Sequence, residues 1–130
     1  MKLDEISKVL EAQWLSDRTG CHDRIGAEVL SCHASDLMSD VLTSSGEGSL
    51  LLTGLTNAQV IRVAEVADFV AVCFVRGKKP QPETLQLARE RGIPILVTPL
   101  SLYDASGRLY EKGLPGGHRA KEIPSWRARK

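Results

Sequence analysis

Three short runs of almost unbroken apolar residues confine what this chain can fold into: Ser49–Thr53 (SLLLT), Phe69–Val75 (FVAVCFV) and Ile93–Val97 (IPILV). A strand with one wet face alternates polar and apolar residues, whereas a strand covered on both faces reads as a continuous apolar run. Between the runs the period changes to that of a helix. Asn57–Ala67 puts Val60, Ile61, Val63, Ala64 and Ala67 on one face and Gln59, Arg62 and Glu65 on the other. Pro82 suits the first position of a helix running to Arg91, and Gly92 closes it. Strand, helix, strand, helix, strand in that order implies right-handed crossovers and a parallel sheet. This is an α/β chain.

The flanks are read in the same way. Leu3–Glu11 is an amphipathic helix with Leu3, Ile6, Val9 and Leu10 on one side, and Trp14-Leu15 is a short strand. Residues 16–24 form a polar loop, and Ile25–Cys32 is a strand centred on Val29 and Leu30. Ser35 is an N-cap, Asp36 suits the positive end of the helix dipole, and Leu37, Met38, Val41 and Leu42 form a buried stripe. Gly46-Glu47-Gly48 ends that helix, and Ser101 begins a last one towards Tyr110. A length of 130 residues with 42% hydrophobic content is expected to make one domain over residues 1–113. A basic Gly/Pro-containing tail is expected over 114–130.

Charge and cysteine content limit the function classes. The formal net charge is +1, too small for a global field that recruits nucleic acid or a membrane. The tail carries Arg119, Lys121, Arg127, Arg129 and Lys130 against Glu122. With Trp126 among them, these cations could touch RNA, phosphate or an acidic partner, but a solubilising end explains them as well. The N-terminus has acids inside its apolar pattern and does not read as a signal peptide. No run approaches the roughly 20 apolar residues of a membrane span. Three cysteines without an export signal read as reduced thiols in the cytoplasm.

A parallel sheet fixes where a ligand would sit, because loops leaving the carboxyl ends of its strands share one edge. Three such turns are expected: Thr53-Gly54-Leu55-Thr56-Asn57, Arg76-Gly77-Lys78-Lys79 and Thr98-Pro99-Leu100-Ser101. The candidate anion or nucleotide site is therefore Thr53, Gly54, Thr56, Asn57, Arg76, Gly77, Lys78, Thr98 and Ser101. Hydroxyls, backbone donors and cations would form its cradle. Plain helix capping by Thr, Asn and Ser, with solvated cations between them, accounts for the same residues.

Other chemistries find less support. Gly77-Lys78 lacks the first glycine and the following hydroxyl of a phosphate-binding loop, and no G-x-S-x-G elbow is present. Cys21-His22 and Cys32-His33 invite a metal reading, but ten residues separate these cysteines, and strand neighbours such as Cys32 and His33 point to opposite faces. Cys73 sits mid-strand as core. No catalytic residue, metal or cofactor is expected.

From Ile25 to Leu114 the chain resembles the DRTGG domain family. The resemblance rests on Ala34–Val41 (ASDLMSDV), on Leu52-Thr53-Gly54 to Ala64, and on Gly92–Pro99 (GIPILVTP). Asp17-Arg18-Thr19-Gly20 is a different match. The family's Asp-Arg-Thr follows the first apolar strand and its Gly-Gly the second, where this chain has Gly54-Leu55-Thr56-Asn57 and Arg76-Gly77-Lys78. The resemblance implies a three-layer α/β domain, mainly parallel with helices on both sheet faces, similar to the N-terminal domain of HPr kinase. It also implies a homodimer. Taken with the three turns, it points to a non-enzymatic regulatory, ligand-sensing or scaffold module that binds an adenine nucleotide or other anion at that edge. Two other readings stand beside it. One is an accessory protein for hydrogenase-type redox enzymes or metallocofactor assembly through the Cys and His residues; the other is an enzyme of unrecognised mechanism.

Overall fold

The computed structural model describes residues 1–15 and 26–117. Its elements in chain order are α1 (Leu3–Val9), β1 (Gln13–Trp14), β2 (Ser31–Ala34), α2 (Met38–Thr43), β3 (Ser49–Thr53), α3 (Ala58–Val66), β4 (Ala71–Phe74), α4 (Pro82–Arg91), β5 (Ile95–Val97) and α5 (Leu102–Glu111). One sheet holds the strands in the order β1-β5-β4-β3-β2. The contacts between β2, β3, β4 and β5 are all parallel, and only the two-residue β1 runs antiparallel, against β5. Every residue of β3, β4 and β5 is buried, as their unbroken apolar character requires.

Side-chain alternation along the strands divides the core into two layers. Leu50, Leu52, Ala71, Cys73 and Leu96 join Leu3, Ile6 and Leu10 of α1 and Ala105 and Leu109 of α5. On the opposite face Leu51, Val72, Phe74, Ile95 and Val97 join Val41 of α2, Val60, Ile61, Val63 and Ala64 of α3 and Ala88 of α4. The result is a three-layer α/β domain with helices on both faces of a mainly parallel sheet. Successive strands β2 to β5 step across the sheet in one direction, and each crossover helix returns on the same face. Two glycines are demanded locally. Gly92 ends α4 in the left-handed region at φ 68°, and a Cβ on Gly46 would stand 2.4 Å from the Phe69 ring.

Several element ends differ from the sequence expectation, each for a local reason. The strand expected over 25–32 pairs only from Ser31 to Ala34. Upstream, the Val29 N–H donates to the Met1 carbonyl and a bridge joins Lys2 to Glu28, so this stretch is bound to the N-terminus instead. Ser35 does not cap α2. Its hydroxyl accepts from the Leu37 N–H at 3.0 Å, and the helix begins only at Met38. The expected four-residue buried stripe shrinks to Val41, with Leu37 63% and Leu42 47% exposed. A helix this short beside the edge strand β2, packed mainly on α3, has one turn's width of apolar surface to cover. The chain also stays packed beyond Leu114, where the tail was expected to start. Leu114 is buried, and the Pro115 carbonyl accepts from the Cys32 N–H at 2.9 Å.

The two α2 positions separate under mutation. Val41→Ala should cost about 2 kcal/mol by loss of buried methyls and the space they leave. Leu42→Ala should cost under about 1 kcal/mol, as surface changes do. Urea unfolding of both variants checks this, and equal losses would restore the broader stripe.

Candidate functional site

Parallel pairing delivers the ends of β2, β3, β4 and β5 to one edge, so the loops after Ala34, Thr53, Phe74 and Val97 are neighbours there. The first three lead to α2, α3 and α4 on one face, and the fourth leads to α5 on the other. Loops that part in opposite directions between adjacent strands leave a crevice, here between β4 and β5. In this chain the crevice is closed. The Arg76 and Gly77 N–H groups donate to the Leu100 and Thr98 carbonyls, both at 2.8 Å. The Lys78 N–H reaches back to the Val75 carbonyl, and Arg76 and Gly77 both stand at positive φ, 57° and 65°. Two successive left-handed residues inside such a turn define type I′ geometry, which a glycine accepts readily and an arginine only at a cost.

That zipper sorts the expected site residues. Thr98 is buried, donates its hydroxyl to the Leu10 carbonyl at 2.6 Å and accepts from the Leu100 N–H. Ser101 caps α5 by accepting from the Asp104 N–H, and Asn57 caps α3 by accepting from the Gln59 N–H. The Thr56 carbonyl holds the start of α4, accepting from the Thr84 hydroxyl at 2.8 Å. Thr53 is fully buried, with its hydroxyl donating to Asp36 and accepting from the Leu55 N–H. The side chains of Thr53, Asn57, Thr98 and Ser101, and the carbonyl of Thr56, are each engaged in positioning a loop. The backbone N–H groups of Gly54, Arg76 and Gly77 are likewise taken up within the protein.

What the structure does bring together is Gly54, Arg76 and a residue outside the expected set, Asp36. One oxygen of its carboxylate accepts from both the Gly54 N–H at 2.7 Å and the Thr53 hydroxyl at 2.9 Å, bolting the β2 loop to the β3 loop. The Arg76 guanidinium approaches the same place. It lies 3.8 Å from where a Gly54 Cβ would stand, and the second Asp36 oxygen lies 3.4 Å from that point. Arg76 has no ion-pair partner among the described residues, and Lys78 and Lys79 beside it are exposed. The edge thus carries one exposed guanidinium near Gly54 and Asp36, two exposed ammonium groups beside it in sequence, and the loop that leads into α3. Sequence reading assigned Asp36 to a helix dipole because α2 was expected to begin there. Pairing of Ala34 with Leu52 is what carries Asp36, two residues on, to Gly54.

The cysteine reading is answered for the described residues. Cys32 packs towards Leu109 and Leu114, while the His33 ring meets the Phe69 ring edge-on on the opposite face at 6.1 Å. Burial pushes the Cys32 thiol up to about 12, so at neutral pH it is protonated and a poor nucleophile or metal ligand. Burial pushes the Cys73 thiol up as well. No group of three His, Cys, Asp or Glu side chains suited to a metal ion occurs among the described residues. Cys21, His22 and Trp126 lie outside them. No described helix is long and apolar enough to cross a membrane.

Fold and edge together define an α/β module with a cation-bearing rim and a closed β4–β5 crevice. The chain belongs to the DRTGG domain family, whose model matches residues 5–111. A solved structure it resembles holds the CBS and DRTGG domains of the regulatory region of Clostridium perfringens pyrophosphatase, in complex with the activator diadenosine tetraphosphate. The TM-score is 0.66 at 18% identity, over 95% of this chain and 52% of that one, so the likeness is one of fold and this chain spans about half the neighbour's length. No curated protein matches the chain in sequence.

Removing the Asp36 bolt has a defined consequence. Asp36→Ala leaves the Gly54 N–H and the Thr53 hydroxyl without their acceptor and should cost about 1–3 kcal/mol. Asp36→Asn keeps an amide oxygen in place and should lose less than half as much. Chemical denaturation of the two variants checks the order, and an Asp36→Ala protein as stable as the wild type would remove the bolt from the account.

Proposed function

We propose that this chain is a non-enzymatic, cytoplasmic regulatory module that senses an anionic ligand, an adenine nucleotide, at the β3–β4 part of its loop edge, and that it acts as a homodimer. The observation that carries the reading is Arg76. A non-glycine residue held at positive φ is a local strain of about 1 kcal/mol or more, and such strain collects where a side chain must be aimed. The Arg76 guanidinium lies 3.8 Å from where a Gly54 Cβ would stand, and exposed Lys78 and Lys79 follow it in the same loop. A guanidinium binds phosphate bidentately, and a helix N-terminus adds backbone donors and a favourable dipole. Asp36 opposes this by its charge, and favours a ligand that also brings hydrogen-bond donors, such as the ribose and adenine of a nucleotide. The Clostridium neighbour, a regulatory region solved with an adenine dinucleotide, supports the ligand class.

Catalysis is not part of the reading. The buried thiols are protonated, and the hydroxyls of Thr53, Thr98 and Ser101 are engaged in struts or a cap. A module that changes shape or partner on binding needs neither nucleophile nor base.

Arg76→Gly separates fold from function. Glycine removes the positive-φ penalty, so the variant should be more stable than the wild type by about 0.5–1 kcal/mol. It should also lose the calorimetric binding of AMP, ATP and diadenosine tetraphosphate, and Lys78→Ala should weaken that binding by roughly tenfold or less. Wild-type protein showing no heat with any of the three, or an Arg76→Gly variant binding as well as the wild type, would refute the nucleotide reading.

A further inference from the structure

Helix α5 is attached by one side, where Ala105 and Leu109 are buried against the sheet with Leu102 packed beside them. Away from that contact a tyrosine–acid pair occurs twice, Tyr103-Asp104 and Tyr110-Glu111, seven residues apart. That spacing is about two helical turns, so the pairs share a face roughly 10 Å apart along the axis. Tyr103 is 86% and Tyr110 75% exposed, and both border an open hollow of about 940 Å³. Asp104 and Glu111 line it too, and neither forms an ion pair with a described residue. Arg108, also at the hollow, is committed elsewhere. Its guanidinium donates to the Glu11 carboxylate at 2.9 Å and to the Val9 carbonyl at 3.2 Å. The face therefore presents two uncompensated carboxylates, each next in sequence to a phenol ring. Carboxylates and aromatic rings both attract guanidinium and ammonium groups, by charge-assisted hydrogen bonds and by cation–π attraction. The chemistry of this face is complementary to a pair of cations.

We propose that the occupant is the chain's own basic segment, residues 119–130, docking on this face within the same molecule. The segment lies outside the described residues, but the point from which it departs is fixed. The Pro115 carbonyl accepts from the Cys32 N–H at 2.9 Å, and Pro115 and Gly116 share a smaller hollow of about 130 Å³ with Ser106 and Tyr110. Ser106 and Tyr110 also line the larger hollow, so the chain departs at the rim of the acidic face. Reach is ample. The ten residues from Gly117 to Arg127 span up to about 35 Å, against about 15 Å for the whole of α5. Charge is complementary, because the segment carries Arg119, Lys121, Arg127, Arg129 and Lys130 against Glu122. Arg127 and Lys130, three residues apart, span about 10 Å of extended chain, which matches the separation of the two acid positions. Leu100 lines the same hollow and its carbonyl accepts from the Arg76 N–H, so the docked segment adjoins the loop that bears the cationic rim. Exposed ion pairs are individually weak, which makes this a clasp that salt opens. The proposal goes beyond the nucleotide and homodimer readings and stands or falls without them.

Zero-length carbodiimide coupling of the full chain at low salt, with the products mapped by mass spectrometry, tests this. Lys130 should couple to Asp104 or Glu111 within one chain, at a yield independent of protein concentration. Exposed Glu83 and Glu90 on α4, across the sheet from α5, serve as comparators. Arg127→Glu leaves the Lys130 amine in place as reporter and should lower the coupling by about threefold or more, and 1 M salt should suppress it in the wild type. Coupling to Glu83 and Glu90 as often as to the α5 acids, coupling only between two chains, or no coupling of Lys130 at all would overturn the proposal. Amide spectra give a second readout that needs no chemistry. Between the wild type and an Arg127→Glu, Lys130→Glu double variant, the amides of Tyr103 to Glu111 should move while those of α4 coincide, which also shows that the variant is folded. Coincidence of the α5 amides as well would overturn the docking.

Discussion

Parallel pairing leaves a chain little choice about where its returns begin. Each of β2 to β5 must start at one edge of the sheet and finish at the other, and the backbone between them has to travel back over a face. Once Ser49–Thr53, Ala71–Phe74 and Ile95–Val97 are buried side by side, the loops following them are neighbours whatever their sequence. Core packing and site position are therefore one problem. The side chains of Leu51, Val72 and Ile95 that hold the second layer together are also what brings Gly54, Arg76 and Thr98 to a common rim.

How that rim is finished decides what it can do. The gap between β4 and β5, the natural pocket of an open α/β sheet, is taken up by backbone hydrogen bonds from Arg76 and Gly77 to the Thr98–Leu100 loop. Chemistry is displaced one strand over, to Gly54 and the start of α3. There Asp36 ties two loops with a single oxygen, and the Thr56 carbonyl anchors the next helix through Thr84. On the proposed reading, the exposed cations at this rim supply the charge that a phosphate would meet. Such a rim suits a signal passed to a neighbouring surface better than it suits a reaction.

The sequence discloses those parts of the molecule that local physics determines. Unbroken apolar runs showed the central strands, the 3.6-residue spacing showed α3, and Pro82 with Gly92 bracketed α4, because in each case burial or backbone geometry acts on adjacent residues. Fold class and family followed. The α2 region was misread because Ser35, Asp36 and Leu37 look like a capped helix start. The structure instead uses Ser35 in a turn and sends Asp36 across to β3. That choice depends on strand register, Ala34 beside Leu52, which no local pattern encodes. The same limit explains the expected site. Thr53 and Thr98 lie on the edge loops, but their hydroxyls donate to partners 17 and 88 residues away in sequence, whereas Asn57 and Ser101 make the local helix caps that their residue types suggest. Arg76 was legible as a cation, but its left-handed backbone was not.

The central proposal is that the rim around Arg76 recognises a nucleotide. Amide chemical shifts of the isotope-labelled protein during titration with diadenosine tetraphosphate test it most directly. The account predicts movement concentrated at Thr56, Asn57 and Ala58 and at Arg76 to Lys79, with the strand amides of β3 and β4 unshifted. A titration that leaves those amides in place, or moves instead residues of α1 and α4 far from the edge, would contradict it.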